Sequence, residues 1–219
     1  MSQFKAVIFD MDGVLVDSES SHEQAYLDVV NALGYGDNHG LRFTDYLGRS
    51  DDLLWRDFIA LHHPPQTFEE LLALKTQRVV EIIRRDQPLF EGVPELVKEL
   101  AGKYRLALAS GSERAIVEEV LAMRGLRRFF SATISGSDIK HGKPDPEIFL
   151  RAACLLGVAP ADCCVIEDSK PGVAAALAAG MPVIAITNTH PAAQLSHATQ
   201  VVKTYKEIEQ ALSHGDEAS

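Results

Sequence analysis

Short apolar runs alternate with helical stretches along this chain. FKAVIFD at 4–10 is rich in β-branched and aromatic residues and has no helical period, and similar runs recur at 104–109 (YRLALA), 163–166 (CCVI) and 182–186 (PVIAI). Each reads as a buried strand. Between them, 93–102, 113–124, 146–156 and 171–179 predict helices, the last three followed by Gly125, Gly157 and Gly180, where a helix C-terminus favours glycine. Strands apolar on both faces, alternating with helices, predict an α/β architecture in which a parallel sheet is covered on both sides. Ligands of such sheets gather at the carboxyl ends of the strands.

The stretch from about 18 to 86 departs from this pattern, with helix following helix and no convincing strand. Ser50 precedes DDLLWRDFIALH as an N-cap, and Thr67 with Glu70 makes a capping box ahead of LLALKTQRVVEIIRR. The domain division expected is therefore an α/β core of residues 1–16 and 88–219 and a helical insertion of 17–87. The insertion leaves the sheet soon after Asp12 and returns near PLFEGVPE. A lid over that strand end is expected.

Composition narrows the class. Hydrophobic residues make up 46% and charged ones 24%, and no stretch approaches the roughly 18 unbroken apolar residues of a membrane span, so no membrane partner is expected. MSQFKAVIFD runs into a strand at once, with no room for a signal peptide. Cys154, Cys163 and Cys164 are odd in number and lack CxxC spacing, which fits a reducing cytoplasm and neither a disulfide framework nor a zinc site. The net charge of −10 argues against nucleic acid, whose phosphates are neutralised by Lys and Arg. It leaves room for a small phosphorylated metabolite, because a few local donors and a bound cation can dominate a pocket.

Four strand ends carry polar groups. VIFDMDG sets Asp10 and Asp12 two residues apart, so an extended backbone points both side chains one way, with Gly13 allowing a sharp turn behind them. An Asp-Gly turn would look the same in isolation. A calcium loop does not fit, because Gly13 comes too early and a strand stands where a helix should. Strand 104–109 ends in Ser110-Gly111-Ser112 ahead of a helix, giving an anion site or a plain N-cap. HGKPDPEIF places Lys143 before Pro144, with Asp145 and Pro146 as N-cap and first helical residue. CCVI runs into a second acidic pair, Glu167-Asp168. In a parallel sheet all four lie along one edge, assembling carboxylates, a hydroxyl, backbone donors and one ammonium. That set suits phosphoryl chemistry, and its hard oxygen ligands suit Mg²⁺, beside which the acids can stay ionised.

DMDGVLVDSE, Ser110 in ASGS, Lys143 in GKPDPEIF and Glu167-Asp168 in IEDSKPGVAAALAAGM occur in the order of the haloacid dehalogenase superfamily. Over essentially its whole length the chain resembles the phosphatase and phosphomutase branch with a small helical cap. The resemblance implies a Rossmann-like three-layer parallel sheet core with an inserted α-helical cap domain. On the matching residues it implies Asp10 as the nucleophile that becomes an aspartyl phosphate, and Asp12 as general acid and base. Ser110 and Lys143 would hold phosphoryl oxygens, with the amides of Gly111 and Ser112 nearby. Mg²⁺ would be held by Asp10, Asp168 and the carbonyl of Asp12, with Glu167 supporting directly or through water.

Within that branch, β-phosphoglucomutase-like proteins carry a histidine where His22 stands. They also place a lysine before a cap glycine and an arginine three residues after it, to grip a second phosphate. Around Gly48 this chain has Leu47 and Asp51 instead. Exchanging an arginine for a like charge disfavours a second phosphate by several kcal/mol in order of magnitude. The expectation is therefore a phosphatase acting on a small sugar, polyol or related phosphate monoester, with His22, Arg49 and Trp55 as cap contacts. It is expected to be a monomer or weak homodimer in the cytoplasm. The alternative is a phosphosugar mutase. A phosphonate hydrolase would want a Schiff-base lysine, for which Lys75 is the only internal cap candidate, and a dehalogenase would not normally carry Asp12. A receiver-type signalling module shares the acids, hydroxyl and lysine, but its phosphoacceptor follows a middle strand and has no helical lid.

Overall fold

The computed structural model describes residues 4–46 and 51–214. Six strands, β1 (Ala6–Phe9), β2 (Arg105–Ala109), β3 (Ala132–Ile134), β4 (Cys163–Glu167), β5 (Val183–Ile186) and β6 (Gln200–Val202), form one sheet. All pairs are parallel, in the order β3-β2-β1-β4-β5-β6. The four apolar runs supply β1, β2, β4 and β5. The two edge strands are additions to the expectation. Each has only three residues, too few to show a period, and β6 begins at the exposed Gln200.

The chain divides into two compact units, Met1–Asp17 with Leu89–Ser219 and Ser18–Pro88. In the first, alternate strand residues face opposite sides of the sheet. Ala6, Ile8, Ala107, Ala109, Val165 and Val183 share one buried cluster with Phe149 and Ala152 of α6 (Glu147–Leu156) and Val173 and Ala176 of α7 (Lys170–Ala178). Val7 and Phe9 of β1 and Leu106 and Leu108 of β2, the intervening positions, are equally buried. On the helical side, α4 (Val93–Ala101) packs against β2 and against α8 (Tyr205–His214), which in turn lies on β5 and β6. α5 (Arg114–Ala122) completes the core helices and stops short of the expected 124, because Arg124 and Gly125 take left-handed conformations. α6 begins one residue late. Pro146 stands at its N-cap in place of Asp145, whose carboxylate accepts the Glu147 N–H at 2.9 Å.

The second unit holds α1 (Glu19–Ala32), α2 (Asp51–His62) and α3 (Phe68–Asp86). Its interior gathers Tyr26, Val29 and Val30 from α1, Leu54, Trp55 and Phe58 from α2, and Leu71 from α3. Ser50, expected to cap α2, lies outside the described residues. The box at α3 forms: Thr67 Oγ1 accepts the Glu70 N–H at 3.2 Å, and the Glu70 carboxylate accepts the Thr67 N–H at 2.8 Å. Among the described residues no helix is long and apolar enough to cross a membrane. Thr67→Ala removes one of these two bonds without touching the core, so it is expected to lower stability by about 1 kcal/mol. Urea denaturation checks this, and an unchanged midpoint would show that the cap contributes nothing.

Candidate active site

The parallel register sets three strand ends level. Phe9 pairs with Leu108 on one side and Ile166 on the other, and Asp10 extends β1 by donating its N–H to Ile166 O at 2.9 Å. Asp10, Ser110 and Glu167-Asp168 therefore leave the sheet together. β1 and β4 are also where the strand order reverses direction, the crevice that ligands of open α/β sheets occupy.

Asp10, Glu167 and Asp168 are all buried and can each offer a ligand oxygen within 4.8 Å of the others. Lys143 reaches in from the loop before α6. Its Nζ lies 2.6 Å from Asp10 Oδ1 and 2.6 Å from Glu167 Oε1, and 5.0 Å from the centroid of the Phe149 ring. That loop is folded by Glu147, whose Oε2 accepts the N–H groups of Lys140 and His141, each at 3.0 Å. The other oxygen of Glu167 accepts the Asp168 N–H, the Ser169 N–H and the Ser169 hydroxyl at 2.7–2.9 Å. Ser169 in turn caps α7 through Gly172 N–H.

Asp12 belongs to a second group. Its Oδ2 accepts the hydroxyls of Ser110 at 3.1 Å and Ser112 at 2.8 Å, and Ser110 Oγ accepts the Ser112 N–H at 3.0 Å. Gly111 lies between the two serines. The Ser110 hydroxyl expected at the phosphate thus reaches the acid, joined by that of Ser112, and the Ser112 amide expected there is engaged with Ser110. Gly13 and Gly172 leave room for the carboxylates. Gly13 has φ +77° and a Cβ there would run into the Asp168 carboxylate, while a Cβ on Gly172 would run into Glu167.

Charge is badly balanced. Burial pushes the Asp10 carboxyl well above its ordinary value; Lys143 opposes this, while Glu167, Asp168 and Asp12 add to it. Burial, with Glu167 adding to it, pushes Asp168 up to about 7, against a hydrogen bond from Thr189 and the charge of Lys143. Burial would lower Lys143, but Asp10 and Glu167 together hold its ammonium above the ordinary range. One ammonium against three buried carboxylates leaves uncompensated negative charge, so the oxygen donors fit a hard divalent cation.

The described portion of the helical insertion holds two of its three candidates. His22 on α1 has Nδ1 3.1 Å from Lys75 Nζ. Lys75 is buried, with Nζ 5.8 Å from the Phe43 centroid. Trp55 is wholly enclosed between Tyr26 and Phe58, so its ring is part of that unit's core and presents no surface for the expected substrate contact. Arg49, with Leu47 and Gly48, lies outside the described residues.

Thr189, which donates to Asp168 Oδ2, was not among the expected residues. The signal was present, since TNTH follows the apolar run 182–186 as the other polar groups follow theirs. Asn188 and Tyr205 were missed likewise.

A family model for haloacid dehalogenase-like hydrolases matches residues 4–180. The chain belongs to that family. Among haloacid dehalogenase-like hydrolases it is 34% identical over 184 residues to the fructose-1-phosphate phosphatase YqaB of Escherichia coli K12, covering 83% of this chain and 96% of that one. It is 35% identical over 188 residues to hexitol phosphatase B of the same organism, covering 84% of each. A crystal structure of a haloacid dehalogenase family hydrolase from Deinococcus radiodurans R1, with bound phosphate and sodium, superposes with a TM-score of 0.69. It is 30% identical, and the match covers 98% of this chain and 97% of that one. The chain is therefore an enzyme of the family, on its Rossmann-like α/β fold.

The raised carboxyls give a pH dependence with a definite sign. Between the ordinary carboxylate range and about 7, folded Asp168 keeps a proton that the unfolded chain releases. Stability of the cation-free protein should therefore fall as pH rises from 5 to 7, by on the order of a few kcal/mol. Asp168→Asn should flatten part of that slope. Urea midpoints in EDTA at the two pH values check it, and a midpoint that rises with pH would contradict the charge imbalance.

Proposed function

We propose that this hydrolase is a Mg²⁺-dependent phosphatase of a small phosphate monoester, a sugar or polyol phosphate, acting through an aspartyl phosphate on Asp10. The observation that carries the reading is the ammonium of Lys143 set between Asp10 and Glu167, with Asp168 completing a buried oxygen cluster. Phosphoryl transfer asks mainly for such positioning and for neutralised charge. The names of its phosphatase relatives support the same class.

Asp10 attacks phosphorus, forming a P–O bond to its carboxylate as the P–O bond to the substrate alcohol breaks. Asp12 gives its proton to the departing oxygen. A water molecule then attacks the aspartyl phosphate, its proton returns to Asp12, and inorganic phosphate leaves with Asp10 restored. Lys143, the Gly111 amide and the hydroxyls of Ser110 and Ser112 hold the phosphoryl oxygens. Asp10, Asp168 and the Asp12 carbonyl would hold Mg²⁺, with Glu167 behind them, and the ion would neutralise charge on the phosphoryl oxygens. The helical unit, inserted between Asp17 and Leu89 in sequence, is the part of the chain to which selectivity for the alcohol is assigned, with His22 as its candidate residue. The absence of cations at Leu47 and Asp51 favours one phosphate over two. Three free cysteine thiols accord with a cytoplasmic enzyme.

The test is Mg²⁺-dependent phosphate release from a panel of phosphorylated sugars and polyols, including β-glucose 1-phosphate, with glucose 6-phosphate followed in parallel. Asp10→Asn should lower kcat by roughly 10³-fold or more, as loss of a nucleophile does, and EDTA should abolish turnover reversibly. Formation of glucose 6-phosphate with little phosphate release would make the enzyme a mutase instead.

A further inference from the structure

Two side chains outside the proposed chemistry close on the backbone that follows Asp12. Asn188, just past the end of β5, donates from Nδ2 to Gly13 O at 2.8 Å and to the Tyr205 hydroxyl at 3.0 Å. Tyr205, the first residue of α8, donates that hydroxyl to Val14 O at 2.8 Å. The two carbonyls directly after the acid are thus received by one amide and one phenol, which also bond to each other.

The turn itself is tight. The N–H groups of Val14, Leu15 and Val16 all point to Met11 O, and Gly13 N–H goes to Val16 O. Its amides are satisfied from within, whereas the carbonyls of Gly13 and Val14 take their donors from residues more than 170 positions away. A buried carbonyl that loses its donor keeps the full cost of its desolvation, enough to shift a short turn toward another arrangement. The tyrosine is itself held by packing: its ring lies beside Phe90, centroids 6.4 Å apart, and a Cβ on Gly92 would come within 3.6 Å of it. Removing its hydroxyl therefore changes one hydrogen-bonding group and leaves the packing in place.

We propose that Asn188 and Tyr205 form a clamp that positions Asp12 for proton transfer to the leaving oxygen. The clamp fixes the backbone on one side of Asp12, and the hydroxyls of Ser110 and Ser112 fix the carboxylate on the other. Proton transfer is sensitive to displacements of well under 1 Å, so releasing either side lowers the rate without removing a reacting group. Both residues are positioning residues. The inference rests on the reading of Asp12 as the general acid, and the experiment separates the two.

Tyr205→Phe and Asn188→Ala are compared with wild type and Asp12→Asn on two substrates. One is p-nitrophenyl phosphate, whose acidic phenol departs with little protonation; the other is the best sugar or polyol phosphate of the panel, whose alcohol needs the proton. Read as single-turnover release of the alcohol or phenol, which reports the first step alone, each clamp variant is expected to lower the rate on the alkyl substrate by roughly 10- to 100-fold, no more than general acid catalysis supplies. KM should stay within about twofold, and the aryl substrate should lose at most about threefold. The double variant should lose little more than either single one, because the two residues act together. Equal losses on both substrates in both variants, with Asp12→Asn still selective for the alkyl one, would mean that the pair only stabilises the fold and would overturn the clamp alone. An unselective Asp12→Asn, or a wild type that hydrolyses neither substrate, would overturn the acid assignment and the clamp with it.

Discussion

Burial of several carboxylates at one end of a parallel sheet is the constraint on which the rest of this structure depends. Taking a carboxylate out of water carries an effective penalty of several kcal/mol per ion. Lys143 answers part of it, since an ion pair at 4 Å is worth about 4 kcal/mol at an effective dielectric of 20. It sits between Asp10 and Glu167 at closer range than that. One ammonium cannot settle three acids, so the remainder appears as the raised carboxyls of Asp10 and Asp168. Such a cluster must take up either protons or a cation, and near neutral pH a divalent ion is the alternative that leaves Asp10 free to act as an anion.

The surroundings follow from the same demand. Glu167 is the most heavily served acid: one oxygen meets the lysine, and the other meets two backbone amides and a hydroxyl at the start of α7. The Ser169 amide, at the N-cap of α7, is a donor that a helix N-terminus leaves unpaired in any case, so the fold supplies anion stabilisation where the strand ends. Gly13 and Gly172 yield the space the carboxylates need. Glu147 acts at one remove, folding the backbone of residues 140 and 141 and with it the loop that delivers Lys143. Asp10 and Lys143, 133 residues apart in sequence, meet because the loop before α6 carries the lysine to the end of β1.

Central strands were legible because each is an unbroken apolar run, buried on both faces, whereas β3 and β6 are three-residue edges whose pattern cannot be distinguished from a loop. The acids, Lys143 and the Ser110 turn were legible because each directly follows or precedes a readable element. The supporting residues were not. Asn188 looks locally like a turn residue, and Tyr205 looks like an ordinary aromatic at a helix start; their meaning lies in backbone carbonyls far away in sequence. Trp55 shows the opposite error. Its type suggested a ligand contact, but Tyr26, Leu54, Phe58 and Leu71 form around it an interior that a small three-helix unit needs for its own stability.

Asp10 and Asp12 stand two residues apart, yet their partners differ in a way that bears on their proposed roles. Asp10 is bonded by an ammonium, which can only donate, so its partner suits a group that stays anionic until it forms its bond to phosphorus. Asp12 is bonded by two serine hydroxyls, which can donate to a carboxylate and, after rotation, accept from a carboxylic acid. A group that must gain and lose a proton in each cycle needs neighbours that tolerate both forms, and a lysine in their place would penalise the protonated one. Two carboxylates on one turn can therefore carry different tasks because their environments, and not their chemistry, differ. Each serine has a single hydroxyl hydrogen, so under the proposed mechanism turning it from the Asp12 carboxylate to a phosphoryl oxygen leaves a lone pair facing Asp12, which favours the protonated acid and links phosphate binding to proton transfer.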